Sequence, residues 1–274
     1  MSPAASRATA PPRVFITGAS SGIGAALARE YAARGAVLGL LARRGDALDA
    51  LIATLDHPER HRAYAVDVTD HAALARAAQD FIAMHAGADV VIAAAGISHG
   101  TLTERPDDLP LFDAVFATNV VATIATFAPF IGAMKVAAGP RRLVAIGSVA
   151  GVRGSQGGVR ALAGAGAYCA SKAAVHSYAE SLRLEMRACG IRVVTIAPGY
   201  IDTPMTSNNR FPMPFLMPAD RFAAQAVRAI DSGASFRVIP WQMGLVARVL
   251  RLLPDLLFDP LFSRAPQKAR REAA

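Results

Sequence analysis

At 274 residues, 53% apolar and 18% charged, the chain is long and apolar enough for one domain with a large core. Its two cysteines, Cys169 and Cys189, exclude a disulfide framework and fit a reducing, cytoplasmic compartment; of the six His only His57 and His61 stand at His-x3-His spacing, and no metal site is expected. The formal charge is +8, but the aromatics are few and not interleaved with basic residues, so no nucleic-acid module is expected and the basic surface is read as attracting a phosphorylated small molecule.

Residues 1–12 are rich in Ala, Ser and Pro and lack an apolar h-region, which predicts a disordered leader and not a secretory signal. No run of 18 uncharged apolar residues follows, so no membrane-spanning helix is expected. From residue 13 onward, strand-like and helix-like segments alternate. Strands are expected at 13–17, 36–41, 62–66, 89–93, 142–146, 192–196 and 236–239, and helices at 22–34, 46–55, 71–85, 111–137, 168–188 and 219–230. Such alternation makes a parallel sheet covered on both faces, with the ligand at the carboxyl ends of its strands. The 111–137 helix carries only Asp113 and Lys135 as charges. A helix apolar all round must be covered on every side, so a partner subunit is expected against the face that the sheet leaves open.

The segment Thr17-Gly18-Ala19-Ser20-Ser21-Gly22-Ile23-Gly24 joins the first strand to the first helix with the spacing Gly-x3-Gly-x-Gly. Strand, glycine turn and helix N-terminus in that order make a phosphate site, because backbone N–H groups and the helix dipole face the anion and a Cβ would hold it away. Ser148 ends the fifth strand, where a hydroxyl faces the cleft and can hold a substrate carbonyl oxygen. Tyr168 and Lys172 are four apart and share one helix face. A phenol with a pKa near 10 is a poor proton donor or acceptor at pH 7, and a neighbouring ammonium is expected to pull it down. Asn119 stands among apolar residues in the long helix, where an amide needs a partner.

These pieces, with Asp67-Val68, Ala95-Gly96, Pro198-Gly199 and Thr203 in the same order, resemble the short-chain dehydrogenase/reductase family over roughly residues 13–240. The resemblance implies an α/β, Rossmann-like doubly wound seven-stranded parallel sheet of order 3-2-1-4-5-6-7 with helices on both faces. It implies hydride transfer between a nicotinamide and a carbonyl or secondary alcohol, with Asn119, Ser148, Tyr168 and Lys172 as the catalytic set. Tyr168 would exchange the hydroxyl proton, Ser148 polarise the oxygen, and Asn119 hold a water that links Lys172 to solvent. On the cofactor side it implies Gly18, Ser20, Ser21, Gly22, Ile23 and Gly24 at the pyrophosphate, Asp67 and Val68 at the adenine, and Ala95 and Gly96 along the cleft. Tyr168 and Lys172 also face the cofactor, Lys172 at its ribose hydroxyls. Pro198, Gly199, Ile201 and Thr203 would hold the nicotinamide amide.

Family members that use NAD carry Asp where this chain has Ala42, and Arg43 and Arg44 follow. A guanidinium fork there grips a 2′-phosphate, so NADP (NADPH) is the expected cofactor; two arginines after a strand also serve simply to solvate it. Most members carry Asn before the Ala-Gly pair, where this chain has Ala94, so the bracing of the central sheet must come from elsewhere. The family commonly pairs the 111–137 and 168–188 helices across subunits, and a homodimer or homotetramer is expected. A nucleotide-sugar epimerase would use the same Ser/Tyr-x3-Lys set but usually needs a larger C-terminal domain. A non-catalytic NADP-binding regulator would have no use for the intact set.

Three regions surround the 13–240 domain's site. The glycine-rich segment 149–167 is several residues longer than is typical of the family. It is either a tolerated insertion, at about 0.6 kcal/mol per doubling of loop length, or a mobile wall of the substrate cleft. Residues 204–220 hold Met205, Phe211, Met213, Phe215, Leu216 and Met217 and are expected to form a lid over a hydrophobic substrate. The extension 241–274 places Leu245, Val249 and Leu252 at helical spacing among Arg248 and Arg251. An apolar stripe with basic neighbours either lies weakly on an anionic membrane surface through 241–271 or packs on protein.

Overall fold

The structure, a computed structural model, describes residues 11–151, 164–207, 209, 212–252, 254, 256 and 260. Strands β1 (Arg13–Thr17), β2 (Val37–Ala42), β3 (Arg62–Ala65), β4 (Val90–Ala93), β5 (Arg142–Ile146) and β6 (Arg192–Pro198) precede two short strands, β7 (Ile201–Asp202) and β8 (Met217–Pro218), and then β9 (Phe236–Ile239). The main sheet is parallel throughout, in the order β3-β2-β1-β4-β5-β6-β9. This is the expected order, with the seventh strand numbered β9 because the pair β7–β8 intervenes. That pair was not foreseen: Ile201 aligns with Met217 and Asp202 with Pro218, which ties together the two ends of the segment between them.

The helices are α1 (Gly22–Ala32), α2 (Gly45–Ile52), α3 (His71–His85), α4 (Leu109–Phe116), α5 (Ala122–Val136), α6 (Gly166–Arg187), α7 (Ala219–Asp231) and α8 (Trp241–Leu252). Side chains alternate across each strand, so the two faces of the sheet make separate cores. Val14, Ile16, Leu38 and Leu40 pack with α1 and α7 on one face. Phe15, Val91, Leu143 and Val193 pack with α3, α5 and α6 on the other. Burying such strands on both faces is what permits their near-continuous apolar runs.

The single helix expected at 111–137 is in fact two α-helices joined by a π-helical turn at Ala117–Val121. One extra residue in that turn swings Asn119 into the protein, where it is completely buried. No membrane-spanning helix was expected, yet one stretch is long and apolar enough by length and composition alone. The continuous helical stretch Pro106–Val136 has that length and composition. Thr and Asn interrupt its apolar run without adding charge, which is why counting apolar residues alone missed it. In the fold it is a core element: Phe127, Phe130 and Met134 are fully buried against the sheet and α3. Its outer face leaves Phe116, Val121, Ile124 and Val136 exposed.

Candidate active site

A cavity of about 700 Å³ runs along the carboxyl ends of the strands. It is bounded by the β1–α1 turn, the ends of β2 and β3, the segment 94–97 after β4, Ser148 after β5, and the loop after β6. Every cofactor residue inferred from the sequence lines it: Gly18, Ser20, Ser21, Gly22, Ile23, Gly24, Arg43, Arg44, Asp67, Val68, Ala95, Gly96, Tyr168, Lys172, Pro198, Gly199, Ile201 and Thr203. Sheet order sets their arrangement, since Arg43 and Asp67 lie on the β2–β3 side and Ser148 and Tyr168 on the β5 side.

The glycine turn fits a phosphate. Gly18 has φ +71°, and a Cβ on it would stand 2.6 Å from Ala95 Cα. A Cβ on Gly24 would collide with the Gly18 carbonyl. The first N–H groups of a helix have no acceptor within it, and the Ser21 side chain makes no cap bond to α1. Donors at a helix N-terminus beside a backbone that no side chain crowds are suited to a pyrophosphate.

At the β2 end, Arg44 leans onto the turn, its Nη2 donating to Ser20 Oγ at 3.2 Å. Arg43 is largely exposed and stands 3.9 Å from Asp67 Oδ2. Asp67 Oδ1 accepts from the N–H and the hydroxyl of Thr69. Desolvation pushes the Asp67 carboxyl up, but the two Thr69 donors, with Arg43, outweigh it and hold its pKa below the usual value. Thr69 was not read from the sequence, although Asp-x-Thr is a local side-chain turn that signals it.

At the β5 end, Ser148 is buried and its Oγ accepts the Ala150 N–H at 3.1 Å. Its side chain is hydrogen-bonded to the Tyr168 phenol. Lys172 Nζ, also buried, donates to the Ile146 carbonyl at 2.8 Å and lies 5.9 Å from the centre of the Tyr168 ring. The expected lowering of the phenol's pKa by the ammonium is not what these groups show. Burial raises Tyr168 above its ordinary value, with the Ser148 bond as a smaller opposing effect. Burial also pushes Lys172 down from 10.5 to about 8. Desolvation acts on both groups, and the ammonium is turned to the Ile146 carbonyl.

Asn119 stands behind the cavity wall, and not in it. Its Oδ1 accepts the Ile97 N–H at 2.8 Å, and its Nδ2 donates to the Ile97 carbonyl and to Ser171 Oγ, both at 3.0 Å. Asn119 therefore clamps the segment after β4 from helix α5's side, which supplies bracing that Ala94 cannot. After β6, Thr206 was also missed: its Oγ1 donates to the Ile201 carbonyl at 2.6 Å and accepts from Thr203 N–H. Met205 lines the cavity, while Phe215 and Leu216 are exposed; Phe211 lies outside the described residues. Most of the glycine-rich insertion, 152–163, is likewise outside them. At its far end, Thr101 N–H donates to the Gly164 carbonyl, which joins that end to the loop after β4.

The short chain dehydrogenase family profile matches residues 12–213. The chain belongs to the short-chain dehydrogenase family. One relative, an uncharacterised oxidoreductase of Myxococcus xanthus, is 34% identical over 252 residues, which is 89% of this chain and 94% of that one. A short-chain dehydrogenase from Streptomyces avermitilis has the same fold, with a TM-score of 0.75 at 24% identity over 93% of this chain and 98% of that one. So has a 3-ketoacyl-(acyl-carrier-protein) reductase from Brucella melitensis complexed with NADH, with a TM-score of 0.72 at 22% identity over 83% and 96%. As a short-chain dehydrogenase the chain is an oxidoreductase acting on an alcohol or carbonyl with a nicotinamide cofactor.

Proposed function

We propose that the chain is an NADP(H)-dependent oxidoreductase acting on the carbonyl or secondary alcohol of a hydrophobic small molecule in the cytoplasm. The observation that carries this reading is the convergence of Ser148, Tyr168 and Lys172 in a cavity that also holds the glycine turn and Arg43. Bound in that cavity, the cofactor supplies or accepts the hydride. The protein's part is orientation and proton transfer. Ser148 donates to the substrate oxygen and takes part of the negative charge that develops there. Tyr168 gives that oxygen its proton in reduction and removes it in oxidation. Lys172 donates to the ribose hydroxyls. The amide of Asn119 is committed to Ile97 and Ser171, so its backbone carbonyl, which takes the Thr123 hydroxyl at 2.8 Å, is the atom left to hold a water near Lys172. Met205, from the 204–220 lid, lines the cavity and gives it an apolar contact. Consumption of NADPH in the presence of a panel of apolar ketones and aldehydes tests the reading. No turnover with any of them, together with no NADPH binding, would overturn it.

Arg43 decides the choice of cofactor in this reading, because it is the exposed cation beside Asp67 at the adenosine end. Arg43→Ala is expected to weaken NADPH by about 1.5–3 kcal/mol, the worth of a hydrogen bond between charged groups, and NADH by much less. Titration calorimetry with both cofactors checks it; equal weakening removes Arg43 from the 2′-phosphate.

We also propose a homodimer or homotetramer. Phe116, Val121 and Ile124 on the outer face of α4–α5, with Leu184 exposed on α6, support this. Light scattering at micromolar concentration is expected to return a multiple of the 28.6 kDa chain mass. A strictly monomeric mass counts against it.

A second reading concerns the tail. Helix α8 packs on the domain through Met243 and Ala247, which are buried. The opposite face exposes Trp241, Leu245, Val249 and Leu252, with Leu256 exposed beyond it. The apolar stripe expected to pack or to insert is therefore turned away from its own domain. Residues 241–271 hold six basic residues and two acidic ones. Basic side chains near an anionic lipid surface are worth about 1 kcal/mol each. The full chain is expected to co-sediment with anionic vesicles at low salt, and a chain ending at Pro240 is not. If the full chain stays in the supernatant, the tail is a packing element.

A further inference from the structure

Tyr168, Lys172 and His176 follow one another at intervals of four along α6, so the histidine shares the face that carries the other two. His176 is buried beneath Ser148. The Ser148 N–H donates to its Nε2 at 3.3 Å. The ring is also hydrogen-bonded to the Gly151 backbone. With Nε2 accepting, Nδ1 is the nitrogen that carries the proton toward the Gly151 carbonyl. Phe236 of β9 closes the far side edge-on, with the ring centres 5.4 Å apart. Gly147 makes the room, since a Cβ there would collide with His176 Nε2.

We infer that His176 is a positioning residue for Ser148, holding the turn from Ser148 to Gly151 at both ends so that the serine hydroxyl faces the substrate oxygen. The inference rests on the role given to Ser148 under the proposed function. Gly147 and His176 act as one unit: the missing side chain at 147 admits the ring, and the ring's lone pair fixes the next N–H. Only a neutral imidazole can do this, because a protonated one has no acceptor. Burial first, and then the charge of Lys172 one turn away, hold its pKa down to about 4, against the opposing bond to Gly151. Among the described residues Lys172 is the charged group acting on the ring; the ends of β5 and β9 present backbone and Phe236. The histidine was passed over in the sequence as one of six scattered His, although its spacing from Lys172 marked it.

Two measurements on the full chain test this. By 15N NMR, His176 is expected to show Nδ1 protonated and Nε2 bare from pH 8 to 5; titration near the ordinary histidine value, or the opposite tautomer, overturns the geometry. In kinetics, His176→Phe, which frees the turn that carries the Ser148 hydroxyl, is expected to lower kcat about tenfold or more, the cost of a small misplacement of a reacting group, with NADPH affinity unchanged. His176→Gln, whose amide can accept from Ser148 and donate to Gly151, is expected to keep about half the wild-type kcat or better. The double variant Gly147→Ala, His176→Ala puts a methyl group in the place of Nε2 without supplying an acceptor and is expected to stay as slow as His176→Phe. Recovery in that double variant, or no rescue by Gln in a variant of wild-type Tm, shows a packing role only and overturns the inference. Should His176→Phe fail to fold, the Gln and double variants decide. If wild type reduces no carbonyl, the proposed function fails, and the NMR result still decides the His176 geometry.

Discussion

Tyr168→Phe is expected to cut kcat by at least ~10² while leaving NADPH affinity close to that of wild type. The substitution removes one oxygen and keeps the ring that lines the cavity, so binding surface is preserved and the proton donor is lost. Ser148 cannot replace it as the proton donor, because a serine hydroxyl is a far weaker acid than a phenol. Burial sharpens the expectation by direction. A phenol held above its ordinary pKa is fully protonated at pH 7, which is the form carbonyl reduction needs. Alcohol oxidation needs the phenolate, so its rate is expected to climb as pH rises through the alkaline range, and Tyr168→Phe is expected to abolish that climb. Steady-state kinetics in both directions checks this. A variant with wild-type kcat removes Tyr168 from proton transfer.

Lys172→Met is expected to damage both turnover and cofactor affinity without lowering Tm. The ammonium is buried, bonded to the Ile146 carbonyl, and placed beside Tyr168 in the same cavity. Its pKa falls from 10.5 to about 8 through burial. The charged form is the one that donates to ribose hydroxyls, so kcat/KM for NADPH is expected to fall as pH rises through about 8 in wild type. That limb is expected to vanish in the variant. For stability the sign is opposite. Between about 8 and 10.5 the unfolded chain binds the proton and the folded chain does not, so folding gains stability as pH rises across that window. Below it the folded protein carries the full cost of a buried charge, on the order of 3 kcal/mol. Methionine removes that cost, and the unpaired Ile146 carbonyl gives back part of the gain, about 1–3 kcal/mol. A large drop in Tm would show that Lys172 is chiefly a structural prop.

Much of this protein is determined by local sequence. The strands of the main sheet follow from alternation of period, because a strand buried on both faces and an amphipathic helix leave different apolar patterns, while their order is what the family resemblance implied. The glycine turn is legible because only glycine permits the approach that Gly18 makes to Ala95. Tyr168 and Lys172 are legible as a pair because helix geometry alone places residues four apart on one face. In each case, a short-range rule of the backbone fixes where the side chain goes.

The tertiary structure decided what depends on neighbours distant in sequence. Nothing local marks the π-helical turn at Ala117–Val121, which exists in the fold with Asn119 buried and clamping Ile97, 22 residues away. The pairing of β7 with β8 rests on two residues a side, too short for any period to show. Spacing predicted that Lys172 would acidify Tyr168, but the pKa of each group depends on the desolvation of both, and burial is a property of the assembled core. The stripe on α8 was visible as a stripe, yet which face meets the domain was settled by the fit of Met243 and Ala247 beneath it. His176 shows the division within one residue. Its spacing from Lys172 is a fact of sequence, while its hold on Ser148 requires the end of β5, the gap at Gly147 and the ring of Phe236 to meet in space.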